Sequence, residues 1–164
     1  MQSIEISALD SFIDKIGKEW FLVSAFKDGK ANSMTCSWGT IGFIWRMPIF
    51  TVLVRDSRYT KEFIDSTDRF SISFFDSSKK PMLAHFGKVS GRDEDKFAGF
   101  DMTVDSIDDA PAFNNATLTI VCRKVFASRL SDEQFIDRSI LDSYYPTRDM
   151  HTLYAGEILS AYTG

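Results

Sequence analysis

Short apolar runs separated by turn signals, several of them alternating with polar residues, set the character of this chain. Residues 20–26 (Trp-Phe-Leu-Val-Ser-Ala-Phe) predict a strand. Lys27-Asp28-Gly29-Lys30 behind it predicts a hairpin, because Asp-Gly accepts the positive φ that both central positions of a type I′ turn need. Residues 31–38 then return as the second strand, and residues 49–54 (Ile-Phe-Thr-Val-Leu-Val) form another. Residues 70–75 (Phe-Ser-Ile-Ser-Phe-Phe) alternate apolar and polar, the pattern of a half-buried strand. Late strands are predicted over residues 117–127 and 152–162. Short helices fit over 60–66 and over 79–87, the second with Ser78 as N-cap. Ser90-Gly91-Arg92-Asp93 and Ser131-x-x-Gln134 match the capping-box pattern and predict two further helix starts. Many strands with brief helices at irregular spacing argue for an antiparallel barrel or sandwich rather than a parallel βαβ array. With no internal repeat or linker, the expectation is a single, mainly β domain over residues 1–164.

Composition narrows the class without naming a chemistry. The 164 residues are 44% hydrophobic and 26% charged, which excludes a disordered or collagen-like chain. No run approaches the ~20 apolar residues of a membrane helix, and Met-Gln-Ser-Ile-Glu at the start does not read as a signal peptide. Cys36 and Cys122 are the only cysteines and show no C-x-x-C spacing, so a reduced, cytoplasmic compartment is expected. A net charge of −4 argues against general nucleic-acid binding. The charge is uneven, however. Residues 1–100 carry 14 Lys/Arg against 13 Asp/Glu, whereas residues 101–164 carry 5 against 10, so a site for an anion belongs in the first two-thirds. Fifteen Phe, and aromatics at 14%, raise the question of a stacking surface; most Phe fall on predicted elements, where they fill a small barrel core and a possible dimer interface.

The common catalytic motifs are missing: no G-x-G-x-x-G, Walker loop, H-E-x-x-H or G-x-S-x-G occurs. With only His85 and His151, a multi-histidine metal centre has no ligands, and no metal is expected. Two basic clusters are more informative. Arg55-Asp56-Ser57-Arg58-Tyr59-Thr60-Lys61 follows a strand and opens a helix, a junction where free N–H groups and the helix dipole attract anions. Arg58 adds a bidentate fork, and Ser57 and Thr60 add neutral donors. Lys88-Val89-Ser90-Gly91-Arg92, continuing to Lys96 and Phe97, places a glycine beside Ser90, Arg92 and Lys96. Each cluster alone reads more readily as a capped helix with a solvated charged face. Two of them in one small acidic chain favour a phosphate. The third stretch, Asn32 through Phe43, is a strand of small polar residues leading into a glycine-containing loop, and it offers backbone groups to something flat and polar.

Four blocks taken together carry a resemblance. Asn32-Ser33-Met34-Thr35-x-Ser37-Trp38-Gly39, Arg55-x-Ser57-Arg58-Tyr59-Thr60-x-Glu62-Phe63-Ile64, Ser90-Gly91-Arg92-Asp93-x-Asp95-Lys96-Phe97 and His151-x-x-Tyr154-x-Gly156-Glu157-Ile158 occur in this order. The chain resembles the flavin reductase-like, FMN-binding split-barrel family, and within it the flavoredoxin-type branch. The resemblance implies a Greek-key antiparallel split β-barrel with short peripheral helices, forming a homodimer with FMN near the subunit interface. It implies that Thr35, Cys36, Ser37 and Trp38, with Met34 before them, line the isoalloxazine. Arg58, Tyr59 and Thr60 would hold the phosphate, supported by Ser57 and Arg55. Ser90, Gly91, Arg92 and Lys96 would complete the phosphate and ribityl end.

The implied activity is a flavin reductase passing hydride from NADH or NADPH to the flavin, in which the cofactor carries the hard chemistry. His151 is then the titratable candidate for catalysis, as a hydrogen-bonding group near flavin or substrate. Cys36 stands where a small inert residue is expected and reads as a small buried neutral side chain. Ile41 and Arg46 depart from the family pattern in the loop after Trp38. Two alternatives stay open: an FMN-containing electron carrier served by a redox protein partner, and an interaction module on the same barrel that holds no flavin.

Overall fold

The predicted hairpin closes as the Asp-Gly chemistry requires: Asp28 (φ 51°) and Gly29 (φ 74°) both take positive φ between β2 (Phe21–Lys27) and β3 (Lys30–Cys36). The computed structural model describes residues 12–164 in full and residues 2–4 by their backbone. Beyond that hairpin the sheet is built from β5 (Met47–Arg55), β6 (Arg69–Phe74), β9 (Leu118–Arg129) and β10 (His151–Thr163). The strand β4 (Gly39–Ile44) completes the path, whose order is β3-β2-β6-β9-β10-β5-β4, with β1 (Gln2–Ile4) joining the end of β10. All pairings are antiparallel. Among the described residues β3 and β4 pair on one side only, so the sheet curls without closing, as a split barrel does. The architecture is mainly β, with four short α-helices among the described residues, as the strand-rich pattern predicts.

β10 makes the curl possible. Its first residues pair with β5 and its last with β1, while β9 runs along its whole length. Register shifts at Ala155/Gly156 and Ile158/Ser160 bend the strand between these partners. At the first shift Gly156 has no room for a side chain: a Cβ would lie 2.5 Å from Phe70 Cζ and 2.6 Å from Cys122 Cβ. Both neighbours are fully buried, so Gly156→Ala overpacks the core and destabilises the fold by about 2 kcal/mol. A lower urea midpoint with an unchanged slope checks this.

Most of the phenylalanine excess is core. Phe21, Phe50, Phe70 and Phe74 are wholly buried inside the barrel with Tyr154, Ile72 and Ile120. Phe21 meets Phe50 edge-on at 5.6 Å and tilts against Phe74 at 5.4 Å. A second cluster forms outside, where Leu83 and Phe86 of α3 (Lys80–Lys88) pack on Leu22, Phe75 and Phe113.

Several local expectations are corrected. The glycine-containing stretch after Trp38 is not a loop but the edge strand β4. Gly39 reflects close approach, since a Cβ there would lie 2.5 Å from the Thr51 carbonyl oxygen. Trp45 (φ 54°) and Arg46 (φ 61°) then make the β4–β5 turn without a glycine. A second hairpin, β7 (Val104–Ile107) and β8 (Ala110–Phe113), was not expected. Of the predicted helices, α2 (Tyr59–Ser66) and α3 form, but Ser78 is not the cap of α3. Asp76 instead accepts from the Ser78 N–H and opens a 3-10 turn, Ser77–Lys79, before that helix. No helix follows Ser90, whose hydroxyl accepts from the Arg92 N–H in a local turn. The capping box at Ser131 and Gln134 is made, yet it closes only a 3-10 turn, and α4 (Arg138–Tyr144) starts later with Asp137 as its cap.

Candidate functional site

The site is assembled where β5 hands the chain to α2. Arg55 ends the strand, Ser57 and Arg58 turn it, and Tyr59 begins the helix. The Arg58 N–H donates to the Arg55 carbonyl at 3.1 Å, which tightens this turn. The polar strand β3 lies opposite: the Asn32 amide donates to the Thr60 hydroxyl at 2.8 Å, both buried. The 90–96 loop forms the third wall. Together they enclose a recess of about 230 Å³ lined by Met34, Arg55, Ser57, Arg58, Tyr59 and Thr60 from one side and by Ser90, Gly91, Arg92 and Lys96 from the other. A second recess of about 160 Å³ is lined by Thr35, Cys36, Ser37, Trp38 and His151, with Leu53 behind them. The two meet at Met34, Arg55 and Arg58, which line both. Every site residue expected from sequence therefore borders one of two adjoining recesses, together the groove.

The groove residues are not equally available. Arg58 makes no hydrogen bond or ion pair with its side chain among the described residues, although it stands at the junction of the two recesses. The other cations are engaged. Arg55 donates to the carbonyls of Asp149 (2.8 Å) and Tyr144 (3.0 Å) and covers the Tyr145 ring, so it ties β5 to the segment before β10. Arg92 pairs with Glu62 and lies over the Tyr59 ring at 4.5 Å; that pairing holds the Glu62 carboxyl below its ordinary range. Lys96 is buried and gives its ammonium to the Ser33, Phe86 and Val89 carbonyls. Burial and, secondarily, the Arg58 charge bring its pKa down to about 8. It is a strut joining the 90–96 loop to β3 and α3 as much as a lining group.

Asp149 also borders the recess, and its carboxylate accepts from both the N–H (3.1 Å) and the hydroxyl (2.6 Å) of Ser57. Ser57 thus meets an acid from a loop distant in sequence. In the second recess Trp38 is partly exposed and contacts Tyr144 edge-on at 5.3 Å and His151 at 5.0 Å. His151 is buried, with its Nδ1 2.8 Å from the Tyr145 hydroxyl. Desolvation, reinforced by Arg55, pushes its pKa down to about 4, so the ring is neutral at physiological pH. Burial pushes the Cys36 thiol up to about 12, and it points at the Leu53 carbonyl, so it is a thiol and not a thiolate.

Sequence reasoning passed over three polar groove residues, Asn32, Lys88 and Asp149. Asn32 was visible in the polar stretch but had no assigned role until its partner Thr60 was known. Lys88 lay within the second basic cluster. Asp149 has no local signal, because its partner Ser57 is 92 positions away. Among the described residues no group of His, Cys, Asp or Glu could hold a metal ion. No helix is long and apolar enough to cross a membrane.

The flavin reductase-like domain model matches residues 13–164, nearly the whole chain. The chain belongs to this family. Among solved structures it is similar to flavoredoxin from Methanosarcina acetivorans, with 28% identity and a TM-score of 0.68 over 89% of this chain and 68% of that one. It shares its fold with an FMN-binding domain of a flavin reductase-like enzyme from Shewanella baltica (18% identity, TM-score 0.71, covering 98% of this chain and 75% of that one). An NADH:FAD oxidoreductase of Streptomyces globisporus has the same fold (16% identity, TM-score 0.67, covering 89% and 75%). No curated protein matches the chain. Membership of the flavin reductase-like family and the mainly β split barrel are therefore findings, while ligand and reaction rest on the groove.

Proposed function

We propose that this flavin reductase-like protein binds FMN in the groove and acts as an oxidoreductase that takes hydride from NADH or NADPH. The observation that carries the reading is Arg58: an unpaired guanidinium at a strand-to-helix junction, with the first amides of α2 and the Thr60 hydroxyl beside it. A phosphomonoester satisfies all of these donors at once. The polar edge from Met34 to Trp38 then offers backbone groups to a flat ring, and neutral His151 hydrogen-bonds without adding charge. Bound FMN supplies the hydride acceptor. The chain's own residues hold the phosphate, orient the ring and leave one side open; no proton has to be moved by an acid–base pair, which fits the absence of one in the groove. A visible flavin absorbance in the purified protein, or saturable quenching of added FMN, tests the cofactor. Colourless protein whose melting temperature does not move with FMN overturns it.

The 28% identity to a flavoredoxin favours a second reading, an electron carrier reduced by a protein donor. Anaerobic stopped-flow mixing separates the two, because only a reductase bleaches the flavin band rapidly with NADH or NADPH. A homodimer fits the exposed apolar strip of Phe43, Ile44 and Trp45 beside Phe126. Two buried free cysteines fit a reduced, cytoplasmic setting. Because Cys36 is protonated and buried, Cys36→Ala leaves the rate of flavin reduction within about twofold. A loss of tenfold or more in the same stopped-flow traces would make the thiol a participant.

A further inference from the structure

The recess proposed for the phosphate already holds an anion of the protein's own. Among the described residues Asp149 is the only acid in its wall, set against Arg55, Arg58, Lys88, Arg92 and Lys96. One oxygen of this half-buried carboxylate accepts from the Ser57 N–H at 3.1 Å, and the other accepts from the Ser57 hydroxyl at 2.6 Å. Two oxygens of one anion on two donors of one residue is the arrangement a phosphate makes with a serine at a helix start. Asp149 therefore occupies donors that the flavin phosphate needs.

The backbone that carries this carboxylate is held in place. Arg148 just before it takes the left-handed conformation (φ 58°), uncommon for a large side chain. Arg55 donates to the Asp149 carbonyl at 2.8 Å, the Asp56 N–H donates to the Met150 carbonyl at 2.9 Å, and Met150 is buried. The side chain itself is tied down only at Ser57, the one partner of its carboxylate among the described residues. It can turn aside without moving the chain. An arriving phosphate shares about 230 Å³ with it, so either two negative charges lie side by side or Asp149 gives up Ser57. Both outcomes cost affinity, and a ligand with an uncharged tail is spared that cost.

We propose that Asp149 is a specificity-determining residue of the flavin site: a resident competitor that holds Ser57 until the phosphate displaces it, and so narrows the preference for FMN over riboflavin. The inference rests on the FMN reading above, since competition has meaning only if a flavin phosphate enters this recess. A repulsive group aimed at one feature of a ligand lowers affinity for ligands that carry the feature and spares those that lack it. Calorimetric titration of the full-length parent, Asp149→Asn and Asp149→Ala with FMN and with riboflavin tests this. Asp149→Asn keeps the shape and an acceptor oxygen for Ser57, so it folds even if Asp149→Ala does not. The expected result is that each folded variant binds FMN about tenfold or more tighter than the parent, with riboflavin constants within about threefold. Ser57→Ala, added to the parent and to Asp149→Ala, weakens FMN binding more in the second background, where the serine is free for the phosphate. FMN constants that are unchanged or weaker, or a tightening that riboflavin shares equally, overturn the competitor and leave the FMN reading intact. Folded parent and variants that bind neither flavin overturn both.

Discussion

Arg58→Ala is expected to weaken FMN binding about 10- to 100-fold, the loss of a charge-assisted, bidentate contact of ~1.5–3 kcal/mol. The figure applies in full because nothing in the protein competes for this side chain: Arg55, Arg92 and Lys96 all have protein partners, and Arg58 has none among the described residues. For the same reason the variant leaves the ligand-free fold unharmed, and its melting temperature without FMN stays that of the parent. Arg58→Lys retains the charge and loses the fork, so it falls between the two. Quenching of FMN fluorescence on titration reads the constants, and raising salt narrows the gap between parent and variant. An unchanged constant for Arg58→Ala would move the phosphate elsewhere.

Arg58 also shows how far sequence carries a reading. Its place between a β-rich run and a helix start is a local pattern, as is the Asp28-Gly29 turn, and both are present as expected. Which cation is free is not local. Arg55, Arg58, Arg92 and Lys96 are equal in a sequence count, and only the folded chain sends Lys96 to the Ser33 carbonyl and Arg92 to Glu62. Asp149 is the extreme instance, since its bond to Ser57 exists only once β10 lies beside β5. The elements missed share a cause. Gly39 and Gly42 in β4 and Pro111 in β8 are residues that interior strands avoid, yet β4 is an edge and β8 belongs to a two-stranded hairpin. At Ser90 the capping pattern is present, but the next residues serve the groove wall: Gly91 fits against Asn32 and Lys96 turns inward, neither of which a helix start requires.

Acidification provides the other large effect, and it refines what His151 does. In the unfolded chain this imidazole titrates near its ordinary value of 6.5, whereas in the fold it is held down to about 4. Between those pH values the unfolded state binds the proton and the native state does not, so stability falls as pH drops from 6.5 toward 4 and is flat in this respect above 6.5. The shift corresponds to ~3 kcal/mol for a group as buried as this one. The charged neighbours are Arg55 and Arg58, which oppose protonation, and Asp149 and Asp56, which favour it; burial outweighs all four. Urea unfolding of the ligand-free protein across pH 4–7 reads the slope, and His151→Gln, which keeps a polar group beside Tyr145, removes most of it. A variant with the parent's slope would place the acid sensitivity elsewhere and return a titrating His151 to the list of candidate proton donors. With the expected slope, His151 serves the groove as a fixed, neutral hydrogen-bonding group whose charge does not change near neutrality.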